Sequence, residues 1–81
     1  MKNFWELYNL VNKVRLLQIE IDYDNQGKWG ACLETYSGKV IFDEQYFDTY
    51  FDLIDTLYSE LKSYILSDNE LIFFKNLIDN E

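Results

Sequence analysis

The sequence predicts one small α+β domain over residues 1–81, in the order α-β-β-β-α-α, with a three-stranded antiparallel sheet packed against helices. Three observations predict it. Apolar residues recur at helical spacing near both ends of the chain but at every second position over residues 17–23, and Gly-containing turn segments cut the middle into short strands. The composition is 48% hydrophobic with 7 Tyr, 6 Phe and 2 Trp, enough apolar surface for one core in a chain too short for two.

Asn3 followed by Glu6 reads as a capping box, and Phe4, Leu7, Tyr8 and Val11 then repeat at helical spacing, so a first helix is expected from Asn3 to about Val14. From Leu17 the period changes to two: Leu17, Ile19, Ile21 and Tyr23 alternate with Gln18, Glu20 and Asp22, a strand with one wet face. Asp24-Asn25-Gln26-Gly27-Lys28 reads as a hairpin loop, Trp29 to Tyr36 as a second strand, Ser37-Gly38 as a two-residue turn, and Lys39 to Phe42 as a short third strand. With Asp43 as N-cap, the absence of Gly and Pro from Glu44 to Leu66 predicts a long helix. A second capping box, Ser67 with Glu70, opens a short last helix carrying Leu71, Phe74, Leu77 and Ile78.

Much chemistry is excluded by what the chain lacks. With no His and a single Cys, nucleophile systems of the Ser-His-Asp or Cys-His kind and zinc sites built from Cys and His are ruled out. Asp22 to Gly27 has the oxygen spacing of a calcium loop, but the position six residues after Gly27, where a bidentate Glu belongs, is Leu33, so it reads as a hairpin loop. Cys32, on a strand with neither a His nor a basic cluster beside it, reads as a structural thiol. Carboxylate pairs such as Asp52 and Asp55 come with no sign of a cleft that would raise one pKa. No enzyme activity, cofactor or metal is expected. Neither an apolar signal segment nor a membrane-spanning run is present, and the lone Cys suits a reducing compartment, so a cytoplasmic location is expected.

The charge points to a partner. Residues 1–40 hold 5 acids and 5 bases, whereas residues 41–81 hold 10 acids with only Lys62 and Lys75, so the whole net charge of −8 lies in the second half. On the expected long helix, Glu44, Asp48, Asp52 and Asp55 share a sector roughly 80° wide. The stripe is either a solvated face helped by the helix dipole or, with unpaired acids about one turn (5.4 Å) apart, a field for a cationic partner. The apolar arc of the same helix spans about half its circumference, which calls for cover from the other helices or from a dimer or partner surface. Direct nucleic-acid binding is disfavoured by phosphate repulsion.

The stretch Ile21 to Ala31, with Asp24, Gly27, Trp29 and Ala31, followed by a turn, a short strand and a long acidic helix, resembles the opening of the HicB-type antitoxin fold; that resemblance implies neutralisation of an RNA-cleaving toxin. In size, charge and composition the chain is similar to the small acidic phage inhibitors grouped as anti-CRISPR proteins, some of which act as DNA mimics. The Asn-, Ile-, Tyr- and Lys-rich composition suits an AT-rich genome, as of a low-GC bacterium or its phage, and a phage product would act in the host cytoplasm.

These observations lead to a protein-binding inhibitor whose acidic helix docks into a basic, nucleic-acid-binding groove of its target. Glu44, Asp48, Asp52 and Asp55 replace phosphates, and Tyr46 and Tyr50 add packing at the contact. An antitoxin or immunity protein and a homodimeric regulatory module are the alternatives.

Overall fold

The structure, a computed structural model, describes residues 3–79. It contains α1 (Phe4–Asn12), β1 (Leu17–Tyr23), β2 (Trp29–Thr35), β3 (Val40–Phe47), α2 (Tyr50–Ser67), a 3-10 turn (Ile72–Phe74) and α3 (Lys75–Asp79). The three strands form one antiparallel sheet in the order β1-β2-β3. The α+β class and the element order are those the sequence predicts.

Helix α1 begins where the capping signal places it: Asn3 Oδ1 accepts from the Glu6 N–H at 2.9 Å, and Asn3 Nδ2 donates back to Glu6 Oε1. It ends at Asn12, short of the expected Val14, because Asn12 Oδ1 turns to accept the Leu17 N–H at the start of β1. The loop between β1 and β2 is the expected one, with Asp24 Oδ1 accepting from the N–H groups of Gln26 and Lys28 and Gly27 at φ +82°. Between β2 and β3 the chain turns through Gly38 at φ +98°, with Tyr36 and Lys39 also belonging to the connection.

The largest departure from expectation is at residues 43–49. They do not open the long helix. Instead β3 runs on to Phe47, and α2 starts at Tyr50 with Thr49 as its N-cap, its side chain accepting from the Asp52 N–H. The physical cause is β2, whose backbone requires a partner along its whole length, so Trp29 to Cys32 pair with Phe47, Gln45, Glu44 and Asp43. At the other end of α2, Ser67 is the last helical residue rather than an N-cap; its hydroxyl donates to the Tyr64 carbonyl, and Asp68 caps the next turn by accepting from the Glu70 N–H.

One sheet face and one stripe of each helix make the core. Leu17, Ala31, Leu33, Phe42 and Phe47 from the sheet meet Leu53, Leu57, Leu61 and Ile65 of α2, while Phe4, Leu7 and Val11 of α1 and Leu71, Phe74 and Ile78 near the C-terminus complete it. Helix α1 and the C-terminal segment both pack on α2, so its own chain covers much of the apolar arc, while Phe51 and Leu66 stay exposed.

Arg15 ties the α1–β1 connection to the far end of α2. Its Nη1 donates to Tyr64 Oη and Asp68 Oδ2, and its Nη2 donates to Glu70 Oε2. The guanidinium holds the Asp68 carboxyl below its ordinary range, with the Glu70 N–H acting in the same direction. A carboxyl depressed on folding contributes stability above its unfolded pKa of about 3.9, and that stability is lost as pH falls through the lower folded value. Asp68→Asn is therefore expected to lower the melting temperature at neutral pH and to flatten its decline below about pH 4, a comparison made by thermal scans of both proteins between about pH 2 and 6. Parallel curves would show that Arg15 gives Asp68 no net stabilisation.

Candidate functional site

The strand register fixes which side chains share the face of the sheet turned away from the helices. Gln18, Glu34 and Val40 form one row across the three strands, Glu20, Cys32 and Asp43 the next, and Asp22, Gly30 and Gln45 the third. This open face holds four carboxylates, Glu20, Asp22, Glu34 and Asp43, and no Lys or Arg among its paired positions. The alternation that buries Leu17, Leu33 and Phe42 on one side turns these acids outward on the other.

The field of the face is felt by the group at its centre. Partial burial raises the Cys32 thiol above its ordinary range, and Asp43, Glu34 and Glu20 raise it further, so at neutral pH it is protonated and unreactive. Gln18 Nε2 donates to Glu34 Oε1, and Gln45 Nε2 to the Lys28 carbonyl at 3.4 Å. A depression of about 330 Å³ lies beside β1, lined by Gln18, Ile19, Glu20, Cys32 and Glu34. Among the described residues no group of Cys, Asp and Glu is placed to hold a metal ion, and no helix is long and apolar enough to cross a membrane.

The site residues read from the sequence do not form one stripe. Glu44 belongs to β3, opposite Ala31 on the side of the sheet that faces the helices, where it is exposed. Asp48 lies between β3 and α2 and forms an ion pair with Lys28, whose ammonium it holds above the ordinary lysine range. Asp52 and Asp55 alone share the exposed side of α2. The row of four carboxylates at one-turn intervals is thus corrected to a helical pair, an ion-paired loop acid and a strand acid.

The two tyrosines also part company. Tyr46 is 60% exposed at the end of β3 with its ring stacked on Phe47. Tyr50 is half-buried in an aromatic run: its hydroxyl accepts from Trp5 Nε1 at 3.2 Å, its ring packs edge-on against Trp29, and Trp29 in turn meets Tyr23. Tyr50 thus pins the start of α2 to α1 and the sheet.

No family model, curated protein or solved structure matches the chain. The geometry of its own residues therefore carries the functional reading.

Sequence reasoning did not bring Glu20, Asp22, Glu34 and Asp43 together. The wet face of β1 and the alternation through Glu34 were visible, but Asp43 joins only because β3 continues past Phe42, and the grouping depends on cross-strand register.

Proposed function

We propose that the protein is a stoichiometric inhibitor that lays its acidic sheet face against the basic, nucleic-acid-binding surface of another protein and competes there with nucleic acid. The observation that carries this reading is the set of four carboxylates on the open face with no base among them. Charges of one sign spread over a flat surface steer a cationic partner and raise its association rate, and a protein site shaped for phosphates is a surface of that kind. The remaining acids of α2 extend the same sign around the molecule, whereas Arg15 and Lys28 are already engaged with acids of the chain and Lys39 and Lys62 lie over Tyr rings.

The test is capture of host proteins by the wild type, by Glu20→Lys/Asp43→Lys and by Asp52→Lys/Asp55→Lys, at about 0.1 M and 0.5 M salt, where the Debye length falls from roughly 10 Å to under 5 Å. The expected result is a nucleic-acid-binding protein that added nucleic acid displaces, and whose affinity drops at least about tenfold with the sheet-face variant and at high salt. Its capture should be little changed by the helix variant. A partner held equally by the wild type and the sheet-face variant at both salts would overturn the reading.

A further inference from the structure

The two edges of the sheet are not alike. The register of β3 against β2 shifts twice, between Trp29 and Gly30 and between Leu33 and Glu34, and such irregularities spoil an edge for further pairing. Strand β1 keeps an unbroken register from Leu17 to Tyr23.

Its free hydrogen-bonding groups can be located. The Tyr36 N–H donates to the Leu16 carbonyl and the Asp24 N–H to the Lys28 carbonyl, bonds that flank the Leu17–Thr35 and Tyr23–Trp29 pairs and make both of them non-hydrogen-bonded pairs. By alternation, the N–H and C=O groups of Leu17, Ile19, Ile21 and Tyr23 point away from β2. Those of Leu17 are closed by the chain itself, the N–H donating to Asn12 Oδ1 at 2.7 Å and the carbonyl accepting from Tyr8 Oη at 3.2 Å. Those of Ile19, Ile21 and Tyr23 have no partner among the described residues.

Side chains specify what a fourth strand would have to be. On the open face it would lie beside Glu20 and Asp22, and on the other beside the half-buried Ile19 and Ile21 and the exposed Tyr23. A second copy pairing through β1 brings only Gln18, Glu20 and Asp22 to the open face, so it sets acids beside acids with no base to relieve them. We infer that β1 accepts, by strand addition, an extended segment of another protein in which Lys or Arg alternates with apolar residues. The bases would meet Glu20 and Asp22, and the apolar side chains would continue the Ile19–Ile21 surface. The inference rests on the reading of the acidic face as the contact surface and adds the backbone of β1 to it.

The experiment titrates the intact protein with three short synthetic peptides, followed by amide NMR shifts and hydrogen exchange: one alternating Lys or Arg with Val, the same peptide N-methylated at the amides that would pair with β1, and a scrambled peptide of equal charge. The alternating peptide is expected to slow exchange at the Ile19, Ile21 and Tyr23 amides. N-methylation is expected to weaken it roughly tenfold or more, as the loss of two or so hydrogen bonds would. Equal binding by all three peptides, without protection of those amides, would overturn strand addition while leaving the acidic face as a contact surface. Absence of binding by every peptide would remove both readings. Protection that rises with protein concentration in the absence of peptide would mean that a second copy occupies the edge, which also overturns the inference.

Discussion

Replacing Leu57 by Ala is expected to lower the unfolding free energy by about 3–5 kcal/mol, near the upper end for buried leucines. Leu57 is fully buried midway along α2, the helix on which both the sheet and α1 pack, so a cavity there opens inside the core. For 81 residues, total stability at the usual ~0.05–0.15 kcal/mol per residue comes to roughly 4–12 kcal/mol, so this one change removes about a quarter of it or more. A urea titration reads the effect as a lowered midpoint at constant slope. Phe51→Ala is the internal comparison, since Phe51 lies on the same helix but is 78% exposed, and a change within about 0.5 kcal/mol is expected there. A loss below about 1 kcal/mol for Leu57→Ala would show that the α2–sheet contact is not the seat of the core.

The second large effect is expected at Gly30. A Cβ added there would sit 2.1 Å from Gln45 Oε1 and 2.6 Å from the Glu44 carbonyl oxygen. The Gln45 side chain is exposed and can swing away, but the Glu44 carbonyl belongs to the backbone of β3 beside the register shift. Gly30→Val is therefore expected to cost about 2–3 kcal/mol, because β3 must move off β2 to make room. The double variant Gly30→Val/Gln45→Ala separates the two contacts, and chemical denaturation should show only partial recovery. Full recovery would mean that the side chain alone set the limit.

The meander and the first helix were legible because their signals are local. Alternation over Leu17–Tyr23, the Asp24 and Gly27 turn chemistry and the Asn3–Glu6 cap each act within a few residues, and each forms as read. The stretch 43–49 was not legible, for a reason visible in Phe47. That residue continues the helical spacing of Phe51 and Ile54, yet it pairs with Trp29 across the sheet, and only the partner strand breaks the tie. Thr49 with Asp52 three residues on was the local mark of the true helix start. The acidic site suffered the same loss, since its carboxylates come from three strands and are grouped by register rather than by sequence spacing.

The tie between α1 and α2 bears on the order in which the chain assembles. The sheet closes through short loops, and β3 passes directly into α2, so sheet and long helix form from contacts near in sequence. Trp5 meets Tyr50 and Arg15 meets Tyr64 across separations of 45 and 49 residues, contacts whose loop-closure entropy falls sharply once everything between them is already folded. Docking of α1 is thus expected late in folding. The same helix is then expected to leave early under mild destabilisation, exposing Phe4, Leu7 and Val11 ahead of the sheet.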